Sequence, residues 1–472
     1  MPSLLIRNAR LVLPGRADLP SGSLLVEGER ISGVFPGSDG PTTADEVIDG
    51  AGFAVMPGLV NAHHHSYSNV LRGTRNDRRL ESWALYTVAH GYVLDGEAIR
   101  LAALLGAAEA MRHGVTALID HAPHVTHAQA ALEAHRESGL RVGYAPFMHD
   151  RSDHDLLGVS LPDDLRPAFD APNRPPETIA EFYRRMVREW QGHDGRLQVL
   201  LGPNAPQRCS PALLDLWGRL ADELSLRVHT HLCETLPQAR YGISESGGTV
   251  TELARRGLLN DRLSVAHGIW LEEAERDLLA KHGVTVSHNP ASNLMLGSGT
   301  MPLVDYLKRG ISVALGSDST NTGGAANLFE VMRLALMLPR PTTANELDWP
   351  TPQSVFSLAS EGGARALGIE AGRIEKGRLA DLALVRLDTP LMAAAEPSLN
   401  TLVMHGGAHA VQATMVGGRF VYRDGKVLSF DETAMLSHYQ EVAGKIVGAA
   451  SDRLRLAERA EPYFTKLYPP AF

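Results

Sequence analysis

The chain has 472 residues, of which 45 are basic and 54 acidic, for a formal net charge of −9. A hydrophobic fraction of 44% with 21% charged residues belongs to a globular protein and excludes a disordered or collagen-like chain. The acidic balance argues against a nucleic-acid partner bound by phosphate neutralisation, and two cysteines, Cys209 and Cys233, exclude a disulfide scaffold.

The opening MPSLLIRNARLVLPG carries charges within its apolar stretch and no small-residue cleavage site. The longest apolar run, at 101–111, is too short to span a bilayer. A soluble cytoplasmic protein without a membrane partner is the expectation. Over the first ~55 residues, apolar and polar positions alternate around glycine breaks, which reads as short strands with turns. The same texture returns at 373–387 and 411–428.

Between these ends, short apolar runs alternate with helical stretches. Eight runs stand out: 54–65, 114–124, 141–150, 196–206, 226–234, 263–268, 284–290 and 312–320. Helical segments such as 97–114 and 210–225 lie between them. Eight β-α units point to an α/β fold of the (β/α)8 TIM-barrel kind. A doubly wound sheet is the weaker alternative, because no G-x-G-x-x-G loop follows the first strand. The segment 150–176, rich in Pro and Asp, reads as a long loop after the third run. The tail from 431 to 472 reads as helix followed by a Pro-containing end.

The chain has twenty histidines, the side chain best suited to bind a metal or move a proton near neutral pH. They recur at six of the eight run ends, the barrel edge that carries active sites. His63-His64-His65 ends the first run. In a strand, residues two apart share a face, so His63 and His65 look into the barrel mouth while His64 points away. The fifth run ends HTHLCE, with His229 and His231 as rival ligands and Glu234 three residues past the second. His231 is preferred because it lies nearer the strand end. His267 ends the sixth run and Asp318 the eighth. Three imidazoles and one carboxylate form an open catalytic metal site rather than a closed structural one.

In this order, PGLVNAHHH, HTHLCET, AHG, SHNPASNLMLGSG and ALGSDST resemble the amidohydrolase superfamily, in particular its deaminase and chlorohydrolase branch. The similarity covers essentially the whole chain. It implies a barrel over 58–368 and a small β-sandwich built from both ends, 1–57 and 369–430, followed by the helical tail 431–472. It also implies that His63, His65, His231 and Asp318 hold one zinc or iron ion. Glu234 would move protons to the heterocycle, and His267 would sit beside the water and the reacting carbon. Asp318 and His267 would accept the water proton. A bridging lysine on the fourth strand marks binuclear members, and 196–206 contains none, so a single ion is expected.

Substrate contacts are less defined. Trp83 suits stacking on a planar heterocycle, with a core aromatic as the alternative. Glu81 resembles the glutamate of S-adenosylhomocysteine-type deaminases that contacts ribose hydroxyls. Asp120-His121 and the triple histidine instead resemble 8-oxoguanine and hydroxyatrazine-type enzymes, so His121 is a rival contact. Gln207 and Arg208 follow the fourth strand and suit reading ring oxygens or nitrogens, with surface or cap roles as the alternative. The expected activity is release of ammonia from a purine, pterin, pyrimidine or triazine by water activated on the metal. Removal of chloride or an alkylamine from a triazine, or cyclic amide hydrolysis, is the alternative. An idle binding barrel would show gaps among these residues, and there are none. A homodimer is the base-rate assembly.

Overall fold

The computed structural model describes residues 3–37 and 40–468. Eight β-stations form a ring of parallel strands. The first four are Leu59–His64, Val115–Ala122, Arg141–Met148, and the pair Leu197–Val199 with Gly202–Pro203. The last four are Val228–Leu232, Leu263–His267, Thr285–His288 and Ser312–Leu315. Hydrogen bonding links each half internally. Bridges at Leu201–Val228 and His64–Asp318 join the halves, and the second closes the ring.

Two runs differ from the sequence reading. The first divides at Gly58: Phe53–Pro57 pairs with the terminal strands, and Leu59–His64 enters the barrel. At the division Gly58 N–H donates to the Asp381 carbonyl and Leu59 N–H to that of Gly114, and a Cβ on Gly58 would meet Thr116 Oγ1 at 2.1 Å, so glycine is required there. The fourth run is broken at Leu200-Leu201. There Leu200 N–H donates to the Tyr144 carbonyl of the third strand and Leu201 N–H to that of Arg227 before the fifth, and Gly202–Pro203 then pairs with the third strand again.

Strands from both chain ends form one nine-stranded mixed sheet. Its own core mixes Leu4, Ile6, Leu24 and Val26 with Leu382, Leu384 and Met415. A buried ion pair ties this sheet to the barrel. Arg141, at the start of the third barrel strand, donates to Asp381 Oδ2 at 2.7 Å and Oδ1 at 3.2 Å, and Gly417 N–H donates to Oδ1 at 2.7 Å. Both residues are buried, so Asp381→Ala strands a guanidinium without its counter-charge. Equilibrium urea unfolding should show a loss of about 3–5 kcal/mol; a loss below about 1 kcal/mol would remove the pair from the account of domain docking.

After the barrel, helices Glu432–Ala449 and Ser451–Phe464 complete the chain. The second packs Ala457, Ala460 and Phe464 against Leu85, Tyr86 and Ala89 of the helix Leu80–Gly91. Val159 and Leu161 of the 150–176 segment join the same cluster. No described helix is long and apolar enough to cross a membrane.

Candidate active site

The C-terminal edge of the barrel gathers His63, His65, His231, His267, Glu234 and Asp318 from four strand ends. All but half-buried His231 are buried. The backbone at three of these ends is left-handed: Cys233 (φ 40°), His267 (φ 75°) and Asp318 (φ 60°). Such conformations cost a non-glycine residue on the order of 1–3 kcal/mol. They turn the chain sharply at the strand end and aim the side chains inward.

The partners of each imidazole fix where its proton sits. His65 Nδ1 donates to the His121 carbonyl, and His231 Nδ1 to that of Asn204 at 2.6 Å. His267 Nδ1 donates to Asn293 Oδ1 at 2.9 Å. For His63 the partner is His229. Ser264 Oγ donates to the Val228 carbonyl at 3.3 Å and therefore accepts from His229 Nδ1 at 2.8 Å. His229 Nε2 is left as the acceptor for His63 Nδ1, at 2.8 Å. With every Nδ1 engaged as a donor, all four Nε2 atoms carry bare lone pairs.

These lone pairs converge. His63 Nε2 and His65 Nε2 lie 3.5 and 3.3 Å from Asp318 Oδ1, and His65 Nε2 lies 3.3 Å from His231 Nε2. A tetrahedral ion with ligand bonds of about 2.0–2.1 Å holds its donors about 3.3–3.4 Å apart. The spacing brings His63, His65 and Asp318 together as one candidate ion-holding group, while His231 falls in neighbouring groups with His63 and His267 and with His65 and His121. Two acceptor nitrogens facing each other at this distance also call for a cation. Buried His63 Nε2 and His267 Nε2 make no hydrogen bond among the described residues, which agrees with that need.

The electrostatics divide the imidazoles, with His63 and His231 favoured neutral and His65 favoured protonated. Burial pushes His63 down to about 3 and His231 well below the ordinary histidine value. Burial also acts against protonated His65, but the Asp318 carboxylate and the His121 carbonyl outweigh it and raise its pKa. Asp318 is opposed by burial, yet the His63 and His65 imidazoles facing it hold it well below the carboxylate range. Glu234 moves the opposite way. Burial raises its pKa, with the charges of Asp318 and Glu81 adding to the rise against the effect of His267.

Glu234 lies on the far side of His267, with Oε2 3.6 Å from His267 Nε2. Ser298 Oγ donates to Glu234 Oε1 at 3.2 Å. Asp318 Oδ2 is 3.8 Å from the same His267 nitrogen. His267 is thus the pivot between the donor quartet and a carboxyl group that favours keeping its proton.

The expected substrate contacts divide. Glu81 is buried beside the site, accepting from Thr235 Oγ1 at 2.5 Å and from Tyr468 OH at 2.6 Å. Trp83 is packed with Leu80 and Leu296, as a core aromatic would be. Gln207 is buried on the turn Pro206–Arg208. Arg208 directs Nε and Nη2 to the two Asp153 oxygens, each at 2.7 Å, and Nη1 to Asn204 Oδ1 at 2.8 Å. Its fork is committed to the 150–176 segment rather than open to a ligand. His121 joins the histidine cluster, with ring centroids 4.7 Å from His231 and 5.8 Å from His65. Neither of its ring nitrogens has a partner among the described residues. Asn204, Asn293, Ser298, Thr235 and Ser264 were not singled out from the sequence. Two of them, Asn293 and Ser298, lie inside the SHNPASNLMLGSG motif, which was the available signal.

Comparison with known proteins places this geometry in context. The amidohydrolase family model matches residues 54–421. The chain is 33% identical over 431 residues to 5'-deoxyadenosine deaminase of Methanothermobacter thermautotrophicus, covering 90% of this chain and 95% of that protein. It is 32% identical over 424 residues to 5-methylthioadenosine/S-adenosylhomocysteine deaminase of Thermococcus sibiricus, covering 89% and 94%. Among solved structures, an adenosine deaminase from Xanthomonas campestris with bound zinc superposes with a TM-score of 0.83 at 26% identity, covering 94% and 98%.

Proposed function

The chain belongs to the amidohydrolase family, and from that premise we propose that it is a metal-dependent aminohydrolase of adenosine-type nucleosides. The observation that carries this reading is Glu234, a buried carboxyl whose pKa is raised, 3.6 Å from His267. His63, His65, His231 and Asp318 would hold a single divalent ion. Zinc is supported by the related deaminase that binds it, and a three-histidine, one-carboxylate set also accepts iron. Such an ion supplies Lewis acidity that makes water nucleophilic near neutral pH.

The remaining chemistry falls to the chain's own groups. His267 and Asp318 accept the proton of the attacking water, whose oxygen bonds to the ring carbon bearing the amino group. Glu234 gives its proton to the neighbouring ring nitrogen. The carbon–nitrogen bond then breaks: the proton taken up by His267 and Asp318 passes to the amino group, which leaves as ammonia, and the added hydroxyl returns a proton to Glu234 as the ring carbon becomes a carbonyl. Glu81, next to Thr235 and near Glu234, would accept hydrogen bonds from the sugar hydroxyls.

Chloride leaves without a proton, so a proton-bearing Glu234 favours an amine leaving group over dechlorination. Ammonia release should be measured with adenosine, 5'-deoxyadenosine, adenine, guanine, a pterin, cytosine and aminotriazines, and chloride release with chlorotriazines. The adenosine-type nucleosides should be turned over fastest, by protein holding about one equivalent of metal. Fastest turnover of a chlorotriazine, or none of any amine, would overturn the proposal.

A further inference from the structure

Glu81 is separated from Tyr468 by 387 positions, yet the Tyr468 hydroxyl donates to Glu81 Oε2 at 2.6 Å. Thr235 Oγ1 donates to the other oxygen at 2.5 Å. Each oxygen of this buried carboxylate therefore already has a hydroxyl donor. A pair of vicinal hydroxyls presents the same two donors and would seek the same two oxygens.

The route by which Tyr468 arrives matters. The helix Ser451–Phe464 is fixed over the helix Leu80–Gly91 by its apolar face. Glu461 fastens it further, accepting from Arg75 at 3.4 Å and from Arg78 and Tyr86. Beyond Phe464, Leu467 still packs at the edge of the same apolar cluster. The short turn Thr465–Leu467 follows, with exposed Thr465 and Lys466. Tyr468 then reaches back to Glu81, and the Arg79 guanidinium lies 4.4 Å from its ring centre. Arg79 itself donates to the Gly297 carbonyl at 3.0 Å, beside Ser298, the donor to Glu234. The tail thus reaches Glu81 directly and, through Arg79, the Gly297-Ser298 backbone beside Glu234.

We propose that Tyr468 is a specificity-determining residue: its hydroxyl is a displaceable occupant of the hydroxyl position on Glu81, and ligands carrying vicinal hydroxyls displace it. This rests on the reading of Glu81 as the sugar-binding carboxylate. A free nucleobase has no hydroxyl pair to exchange for Tyr468 and leaves the tail in place. A nucleoside has one, and opens it.

Two measurements test this on the full-length protein. Tyr468→Phe keeps the ring against Arg79 and removes only the hydroxyl. The competent fraction rises, so KM for an adenosine-type nucleoside should fall by about tenfold, the effect of one hydrogen bond to a charged group. KM for free adenine should not change, and the effect should fall on KM rather than kcat. An unchanged or higher nucleoside KM would overturn the proposal. The second measurement needs no turnover. Trypsin cleavage after Lys466, followed by mass spectrometry, should be accelerated in the wild-type protein by inosine and not by hypoxanthine. Equal rates with both would overturn the proposal. If no amine substrate is turned over while inosine still accelerates cleavage, the aminohydrolase reading fails and the Tyr468 exchange stands.

Discussion

A Glu234→Gln variant should lose about 10²–10⁴-fold in kcat, the usual worth of a positioned general acid, with smaller change in KM. The amide keeps the shape and the hydrogen bond from Ser298, but it has no proton to give a ring nitrogen. Metal content should stay at that of the wild type, because Glu234 contacts His267 and not the donor quartet. The sign of the pH profile follows from the raised pKa of Glu234. The acid acts when protonated, so activity on this limb is present at low pH and is lost as pH rises through the raised value. That limb should be absent from the residual activity of Glu234→Gln. A purely structural Glu234 predicts lost thermal stability with modest loss of turnover. Near wild-type kcat in Glu234→Gln would eliminate the shuttle and weaken the case for deamination.

Removing a donor from the quartet should abolish metal binding. His231→Ala deletes an Nε2 lone pair 3.3 Å from that of His65, and Asp318→Asn deletes the carboxylate charge 3.5 and 3.3 Å from His63 and His65. Both proteins should emerge from purification with little metal and negligible activity. His229→Ala is the informative contrast. His229 acts behind the quartet by accepting the His63 proton, with Ser264 fixing its own tautomer. Such outer partners are typically worth about 10–100-fold in metal affinity. His229→Ala should therefore keep an ion but surrender it to a chelator at lower concentration. If His229→Ala is empty and His231→Ala is loaded, the ligand assignment is wrong.

The parts of the site legible in the sequence are those set by strand geometry. The two-residue period puts His63 and His65 on one face, and the barrel architecture puts His231, His267 and Asp318 at its rim. What was not legible depends on contacts between distant segments. Arg208 read as a free reader of ring atoms, because nothing local reveals Asp153, 55 residues away, as its bidentate partner. His229 read as a rival ligand, because strand alternation places it on the same side as His231 but does not say that His63 Nδ1 lies across the barrel from it. The split of the first run at Gly58 is a change of hydrogen-bond partner, from Asp381 to Gly114, which apolar patterning does not encode. The nine-stranded terminal sheet was legible as strand texture at both ends, while its register was not.

The ring closes at the bridge between His64 and Asp318, residues 254 positions apart. Asp318 N–H donates to the His63 carbonyl at 2.9 Å, and His64 Nδ1 to that of Asp318 at 3.1 Å. The seam of the barrel and the centre of the donor quartet are thus the same place. On a ribosome adding ~5–20 residues per second, Asp318 is made roughly 13–50 s after His64. Throughout that interval the paired imidazoles of the first strand wait without their carboxylate, and the nascent barrel lacks its last stave. An ion held by His63, His65 and Asp318 would span the joint between the first strand made and the last. It would work as a clasp, loaded only once the ring has shut, and would bias the finished barrel against reopening there.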